Sequence, residues 1–260
     1  MAQGSVKSSS EAAIASYEEL GAHFHENDPR DMYSYMYSKF RSDYTLLEKV
    51  GGVEGKSVLN VGCSFPIDEL YYARKVSDWI AVDLSPQSLV GAEAILKREL
   101  HPDLASKFSF QVADACDLPF ADDTFDLSLN MSTIDHIPSP EGRQKALDEM
   151  ARVTKPGGHV IFTGPNWWCL PYAAGIRKML RDKTLHYGYT TVFSPPQIRA
   201  MGAQAGLEPV AFASSIAPPD VWIDGYPSYL KWPAKLEFKV HRTWGYFGRR
   251  VGYAFVKPQR

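Results

Sequence analysis

Residues 57–84 have the sequence SVLNVGCSFPIDELYYARKVSDWIAVDL. Two short apolar runs, at 57–62 and 79–84, flank a stretch with helical spacing at 67–76. A strand, a helix and a second strand in this order form a right-handed βαβ unit with parallel strands. This stretch therefore predicts the first unit of an α/β fold.

The same alternation continues to the end of the chain. Further helical patterns occupy 88–100, 142–154 and 195–206, and further apolar runs occupy 108–114, 125–131, 159–164, 208–216 and 251–258. Together they predict a doubly wound, mainly parallel, seven-stranded Rossmann-like sheet with helices on both faces. The last two runs are predicted to form an antiparallel pair.

The domain organisation follows from the stretches that break this alternation. Residues 1–50 combine helical spacing with many aromatic side chains and predict an N-terminal helical cap on a Rossmann-like domain at 51–260. Within that domain, 165–193 and 218–247 are rich in Trp, Tyr and Pro. Loops beyond about 12–15 residues are usually functional or disordered, and the aromatic content favours lids.

Composition excludes several classes of protein. A chain of 260 residues with 45% hydrophobic residues is long enough to bury a core, so disordered, collagen-like and small disulfide-held proteins are excluded. Three scattered cysteines and a polar start without a secretory-signal pattern predict the cytoplasm. No apolar run approaches the roughly 20 residues that span a bilayer.

The net charge of −2 is unevenly distributed. From Lys231 onward the chain has eight basic residues against Glu237 alone. Such a tail is either a solvated surface or an attractor for an anionic substrate, a membrane surface or nucleic acid. Aromatic and apolar residues interrupt the tail, which disfavours nucleic acid and leaves a small-molecule or lipid-like ligand and peripheral membrane contact as interpretations.

The loop after the first run is the first place to look for a ligand, because open parallel sheets bind ligands beyond the carboxyl ends of their strands. Gly62 allows close approach of the backbone, and Ser64 is a candidate cap for the next helix. Asp68 and Glu69 are placed to complement the dipole of that helix. Asp83 ends the second run, where a carboxylate binds ribose hydroxyls. A nicotinamide-dependent oxidoreductase fits these residues as well, although G-x-G-x-x-G is absent.

Three further motifs separate these readings. They are Val112-Ala-Asp-Ala-Cys-Asp-Leu-Pro-Phe120, Phe125-Asp126 and Lys155-Pro-Gly-Gly158. In this order and spacing they closely resemble the class I S-adenosylmethionine-dependent methyltransferases, in the small-molecule, type 11-like branch. The resemblance covers roughly residues 45–215 and implies transfer of a methyl group from S-adenosyl-L-methionine to a small or lipid-like acceptor.

The resemblance also implies which residues contact the cofactor. The loop around Gly62 would hold the methionine part, Asp83 the ribose, and Asp114 with Ala115 the adenine, while Asn130 and Met131 would lie beside the sulfonium. The full implied set is Asn60, Gly62, Cys63, Ser64, Asp83, Leu84, Asp114, Ala115, Asn130 and Met131.

The first loop departs from the family pattern V-L-D-V-G-C-G-x-G. Asn60 replaces the acid, Ser64 the second glycine and Pro66 the third. An asparagine can still bond a bound amino group, but without the charge that roughly doubles the strength of such a bond. A noncatalytic, cofactor-binding regulatory protein therefore remains an alternative to an enzyme.

His136 is the candidate catalytic residue. It lies in Ile134-Asp-His-Ile-Pro138, just after the fourth strand, where the family has a histidine at the mouth of the site. An imidazole can accept a hydroxyl proton near neutral pH, so an oxygen acceptor would use it as general base. Substrate positioning and a structural role are the alternatives, and Asp135 is a candidate to orient the ring. We predict no metal, because His23 and His25 lack further ligands at zinc spacing.

Overall fold

The computed structural model describes residues 41–183, 189–215 and 246–259. Residues 1–40 of the predicted cap at 1–50, and nearly all of the second insertion at 218–247, lie outside these ranges. The described strands are β1 Ser57–Val61, β2 Asp78–Asp83, β3 Phe108–Val112, β4 Phe125–Met131, β5 Thr154–Pro165, β6 Glu208–Ser215 and β7 Arg250–Val256. The helices are α1 Arg41–Lys49, α2 Ile67–Tyr72, α3 Pro86–Glu99, α4 Pro102–Ala105, α5 Pro140–Val153, α6 Leu170–Arg181 and α7 Pro195–Gln204, with a 3₁₀ turn at Ile134–His136.

The seven strands form one sheet in the order β3-β2-β1-β4-β5-β7-β6. Strands β1 to β5 are parallel, and β7 lies antiparallel between β5 and β6. The predicted mainly parallel sheet and its antiparallel final pair are therefore confirmed. The chain moves outward from β1 to β3 and then returns to place β4 on the other side of β1, so the direction of winding reverses between β1 and β4.

Helices cover both faces because each strand alternates its apolar residues. Val58 of β1 joins a core with residues of α1, α2 and α3, while Leu59 and Val61 join a second core with residues of α5 and α7. Trp79 and Phe162 are completely buried in these two cores. Burying two such layers supplies the main free energy that holds the sheet in place.

Three helices begin with the same dipeptide. In each, the serine hydroxyl accepts a backbone N–H of the first turn and the proline takes the first helical position, where no N–H is needed. These starts are Ser85-Pro86, Ser139-Pro140 and Ser194-Pro195. Such local signals explain why α3, α5 and α7 lie within a few residues of their predicted limits.

Two predicted boundaries are wrong. Helix α2 ends at Tyr72 rather than at residue 76, because the N–H groups of Lys75 and Val76 both turn back to the Tyr72 carbonyl. Strand β5 begins at Thr154 rather than at residue 159. Its early start depends on Gly157, whose φ of 78° lets its N–H donate to the Lys257 carbonyl beyond β7.

The residues of the motifs that carry the family resemblance form hydrogen bonds that hold the strands and α5 together. The Arg152 guanidinium donates to the carbonyls of Leu118 and Phe120, which clamps the Leu-Pro-Phe turn against α5. Asp126 accepts from the Ser57 N–H at 3.0 Å and from Lys155 Nζ at 2.8 Å. These pairs join β1, β4 and β5 at their amino ends, on the sheet edge opposite the predicted site.

Candidate functional site

The loops after β1 and β4 meet where the winding of the sheet reverses. Gly62 has φ of 79°, and its N–H donates to the Val82 carbonyl at 2.7 Å. A Cβ at this position would overlap the Thr133 side chain, whose hydroxyl donates to the Gly62 carbonyl at 3.1 Å. Only glycine fits here, because Thr133 occupies the space that a side chain would need. The loop after β1 therefore packs closely against the turn after β4 at the carboxyl edge of the sheet.

The first loop continues in an unusual conformation. Ser64 has φ of 45°, a region that costs a residue with a side chain roughly 1–2 kcal/mol. The expected capping role of Ser64 is wrong, because α2 begins after Pro66 and no side chain caps it. The backbone N–H of Ser64 instead donates to the carboxylate of Asp83. The loop is therefore tied to the second strand and not to the helix.

Asp83 lies at the end of β2, as the ribose prediction requires. Its Oδ2 accepts from Ser64 N–H at 3.0 Å and its Oδ1 from Ser85 N–H at 2.9 Å. Burial raises the pKa of this carboxyl, against the lowering effect of these backbone N–H groups. Each carboxylate oxygen can accept a second hydrogen bond, so the group holds two loops and still has lone pairs for a ligand.

The residues predicted to contact adenine lie next along the same edge. Asp114 is exposed, and its Oδ1 accepts from the Cys116 N–H at 2.8 Å in the turn after β3. Ala115 in that turn is half-buried, and Leu84 after β2 is 37% exposed. The turns after β3, β2 and β1 thus follow one another in the order adenine, ribose and methionine that the resemblance implies.

Asn130 and Met131 end β4 beside Gly62. Asn130 is completely buried, and its Nδ2 donates to the Val61 carbonyl at 3.3 Å while its Oδ1 accepts from the Ile134 N–H at 3.2 Å. Its amide therefore fixes the turn after β4 against β1. Met131 is half-buried and remains the nearer candidate for a ligand contact. Ser132, which follows, has φ of 71°, a second strained residue at this point.

Asn60 and Glu69 form a buried pair under the first loop. Asn60 Nδ2 donates to Glu69 Oε1 at 2.9 Å, and Trp79 Nε1 donates to the same oxygen at 3.0 Å. Oε2 of Glu69 is buried and has no hydrogen-bond partner in the described part of the chain. Glu69 lies in the first turn of α2, as predicted, but its carboxyl faces the core and not solvent. Cys63, beside it, is buried, and burial followed by the Glu69 charge raises the pKa of its thiol well above the ordinary value.

A second buried polar group lies behind this pair. Arg250 of β7 forms an ion pair with Asp43 of α1 at 2.9 Å and donates to the Thr163 hydroxyl of β5 at 2.7 Å. Burial is the main cause that raises the pKa of the Asp68 carboxyl, in α2, to about 7. The nearby carboxylate of Asp43 raises it further in the same direction. The sequence contains one signal for these buried groups. Asp43 and Glu69 are acidic residues at helix positions that face inward.

His136 is held by its neighbours in the 3₁₀ turn and in the first insertion. Its Nδ1 lies 2.7 Å from the Tyr189 carbonyl, which can only accept, so the Nδ1 atom carries the hydrogen. Its Nε2 lies 3.4 Å from Oδ2 of Asp135, which also accepts from the Thr190 hydroxyl at 2.9 Å. The side chain is 17% exposed. In this tautomer Nε2 presents a lone pair toward the Asp135 carboxylate, so the Tyr189 carbonyl orients the neutral ring and the contact with Asp135 is favourable only for the imidazolium.

The two aromatic insertions meet near the ends of β5 and β7. Asn166 Nδ2 donates to the carbonyls of Tyr246 and Gly248, and the Trp168 ring lies 5.8 Å from that of Tyr246. Helix α6 follows, with Ile176 buried while Met179 and Leu170 are exposed. The Arg177 guanidinium lies 3.6 Å from the centre of the Trp167 ring. This half of the predicted lids therefore presents an aromatic and partly basic surface.

Two wider searches cover the described ranges only. No helix within 41–183, 189–215 or 246–259 combines the length and apolarity needed to cross a membrane. In the same ranges, His, Cys, Asp and Glu side chains form no cluster of three that could hold a metal ion. His23 and His25, for which no metal is predicted, lie outside the described residues.

Comparisons with known proteins agree with the fold. A family model described as a methyltransferase domain matches residues 59–162. Tocopherol O-methyltransferase of Arabidopsis thaliana is 37% identical over 115 residues, which are 44% of this chain and 30% of the relative. Norajmaline N-methyltransferase of Rauvolfia serpentina is 33% identical over 107 residues, 41% of this chain and 35% of the relative. The matches thus span about a third of these relatives.

A solved structure extends the likeness to almost the whole chain. It is the putative methyltransferase of Haloferax volcanii in complex with the Trm112 methyltransferase activator, with a TM-score of 0.62 and 22% identity. The alignment covers 94% of this chain and 98% of that one. The order of the strands agrees with the family match at 59–162. Residues 59–162 therefore match a methyltransferase domain, and the chain as a whole resembles the class I S-adenosylmethionine-dependent methyltransferases in its fold.

Proposed function

We propose that this protein transfers the methyl group of S-adenosyl-L-methionine to an oxygen of a small or lipid-like acceptor. The observation that carries the proposal is the position of the Asp83 carboxylate at the reversal point of the sheet, beside the loops after β1 and β4, which Gly62 and Thr133 hold together. The relative named for O-methylation supports oxygen, while the N-methyltransferase relative makes nitrogen the alternative acceptor atom.

The residues along the edge fit such a cofactor. Asp83 would accept from the ribose hydroxyls with its second lone pairs, and the turn at Asp114 and Ala115 would face the adenine. The first loop, from Asn60 to Ser64, would hold the amino-acid part. When bound, the cofactor supplies a methyl carbon already activated by a positively charged sulfur, so the protein mainly has to align the acceptor and exclude water.

His136 is proposed as the base for an alcohol acceptor. The hydrogen bond at Nδ1 fixes the tautomer, which leaves Nε2 as the nitrogen with a lone pair. His136 would take the hydroxyl proton at Nε2 as the acceptor oxygen forms its bond to the methyl carbon. Asp135, at 3.4 Å from Nε2, would stabilise the resulting imidazolium.

The acceptor class is proposed from the insertions and the tail. Trp168 and Tyr246 form an aromatic contact, and exposed Leu170 and Phe247 lie on the same connecting segments. In the sequence, the residues from Lys231 onward have a strong excess of basic side chains. An apolar pocket with a cationic rim suits an acceptor with a hydrophobic body and an acidic end, reached by peripheral contact with an anionic membrane from the cytoplasm.

Binding and turnover measurements test this proposal. Calorimetric titration with S-adenosylhomocysteine should show binding and titration with NADH none, since the comparisons and the first loop favour a methyltransferase over an oxidoreductase. A panel of acceptors differing only in the hydrophobic tail then measures methyl transfer. Binding without transfer to any acceptor would favour the regulatory alternative, and equal turnover of tailless acceptors would contradict the lipid-like class.

Vesicle co-sedimentation tests the membrane step separately. We expect binding to anionic but not to neutral vesicles. The anionic binding should fade between 0.1 and 1 M salt, because the Debye length falls from about 10 Å to about 3 Å. Absence of binding to anionic vesicles at low salt would contradict peripheral membrane contact.

A further inference from the structure

The side-chain amide of Asn60 can adopt two orientations that differ in hydrogen bonding, whereas the two oxygens of an acidic residue are equivalent. An amide has an accepting oxygen on one branch and a donating NH₂ on the other, whereas a carboxylate accepts on both. An ammonium group has only donors. A neutral amide can therefore replace the acid at this position only if its oxygen, and not its NH₂, faces the ligand.

A hydrogen bond to Glu69 determines the orientation of the Asn60 amide. Asn60 Nδ2 donates to Glu69 Oε1 at 2.9 Å, so the NH₂ branch points into the core. Because the amide is planar, Oδ1 then points away from Glu69. Trp79 Nε1 holds Glu69 from the other side at 3.0 Å, and all three residues are at most 2% exposed. A flipped amide would set two buried acceptors, Asn60 Oδ1 and Glu69 Oε1, against each other, so the observed orientation is favoured.

We propose that Glu69 is a positioning residue that turns the Asn60 oxygen toward the ammonium group of the cofactor's amino-acid part. This inference rests on the proposed function, and it assigns to the pair the task of the missing acid. Glu69 does not contact the ligand in this arrangement, since its side chain is completely buried.

The protonation of Glu69 is consistent with this arrangement. Burial, with a smaller contribution from Asp68, raises the pKa of the Glu69 carboxyl to about 8, so it is largely protonated near neutral pH. A protonated carboxyl still accepts two bonds at its carbonyl oxygen, here from Asn60 and Trp79, and carries its hydrogen on the other. Oε2, the oxygen without a partner among described residues, would carry this hydrogen. Glutamine should therefore be able to replace Glu69.

The test compares two ligands that differ only in the amino group. They are S-adenosylhomocysteine and its desamino analogue, each titrated by calorimetry into wild type, Glu69→Ala and Glu69→Gln. We expect Glu69→Ala to lose about 10-fold or more in affinity for S-adenosylhomocysteine, the usual effect of one hydrogen bond to a charged group. Affinity for the desamino analogue should stay within about 3-fold, and Glu69→Gln should bind both ligands as wild type does.

A merely structural role for Glu69 would lower both affinities together, and an unchanged ratio of the two in Glu69→Ala would overturn the proposal. The proposal would also be overturned if Glu69→Gln no longer preferred S-adenosylhomocysteine over the desamino analogue. If wild type binds neither nucleoside, the proposed function has failed and not this inference.

A second variant decides the matter if Glu69→Ala does not fold. The substitutions Asn60→Asp and Glu69→Gln together reverse donor and acceptor but keep the hydrogen bond, because the glutamine NH₂ can donate to the new carboxylate. Trp79→Phe is added, since the indole N–H, which donates to the same Glu69 oxygen, would otherwise face that NH₂. The folded triple variant should bind S-adenosylhomocysteine with the preference over the desamino analogue retained, and loss of that preference would overturn the proposal.

Discussion

The N–H of Ser64 donates to Oδ2 of Asp83 at 3.0 Å, and this bond joins the loop after β1 to the end of β2. A second N–H, from Ser85, binds Oδ1 of the same carboxylate at 2.9 Å. One side chain thus sets the shape of the first loop and also lies where a ribose would bind.

Replacing Asp83 by alanine should weaken binding of S-adenosylhomocysteine by about 1–3 kcal/mol, because paired hydroxyls lose a buried acceptor. Isothermal calorimetry on the folded variant measures the change. Asp78→Ala is the matched control, since Asp78 is exposed at the opposite end of the same strand and should leave affinity unchanged. Wild-type affinity in folded Asp83→Ala would contradict the ribose assignment.

Ser64→Gly should stabilise the protein by about 0.5–1 kcal/mol. Glycine removes the roughly 1–2 kcal/mol cost of φ at 45°, and the greater entropy of glycine in the unfolded chain offsets part of the gain. Urea unfolding measures the difference. Ser64→Ala keeps the strain and serves as control, and a glycine variant no more stable than the alanine variant would show that the loop is unstrained.

His136→Ala should lower turnover by about 100-fold or more while binding of S-adenosylhomocysteine stays nearly intact, as expected for a general base. Initial rates at pH 6 to 8, with whichever acceptor the panel identifies, measure the effect. Turnover within threefold of wild type across this range would exclude the base role. A parallel loss of cofactor affinity would instead indicate a structural tie between the turn and Tyr189.

Stability should fall as the pH rises through the neutral range. A carboxyl whose pKa is raised by folding favours the protonated native state, so its contribution is complete below the ordinary Glu pKa of about 4.5 and is lost toward a pKa of about 8. Asp68 has a pKa raised to about 7, so its ionisation also lowers stability as the pH rises. The charged and titratable groups near it include Asp43, Arg250 and Cys63. The wild-type free energy of unfolding should therefore decrease between pH 5 and 8.5.

Glu69→Gln isolates one part of this dependence. The glutamine keeps the hydrogen bonds but cannot ionise, so its stability relative to wild type should grow by on the order of 1 kcal/mol or more over the same pH interval. Denaturant unfolding at several pH values gives both curves. Parallel curves for wild type and variant would show that Glu69 does not titrate with folding.

Fold class was predictable because its signals are local and repeated. Strand β4, Phe125–Met131, has the predicted limits because its apolar run ends where polar turn residues begin. Asp126 and Lys155, which belong to the motifs of the family resemblance, form an ion pair between β4 and β5, and Asp126 also accepts from the Ser57 N–H of β1. Sequence order alone could place Gly62, Asp83 and Asp114 on one edge, because parallel strands bring their carboxyl ends together.

The rest depended on side-chain direction, which a linear pattern does not contain. Glu69 follows Asp68 in the first turn of a helix, where acidic residues usually face solvent. The direction of the Glu69 side chain nevertheless places its carboxyl in the core, against Asn60. Asn130 carries the right residue type for a ligand contact, but its amide bonds the turn after β4. The positive φ of Ser64 had a signal only in the family resemblance, because Ser64 stands where the family pattern has glycine.

The bond between Asp43 and Arg250 has a consequence for how this protein can be re-engineered. Asp43 is near the junction with the first forty residues, and Arg250 follows the second insertion almost directly. A chimaera that imports either region from a relative, together with its junction, would leave one of these charges buried without its counter-ion, at a cost of about 3–5 kcal/mol. The two regions should therefore be exchanged together, and acceptor preference should be inherited as a pair of segments.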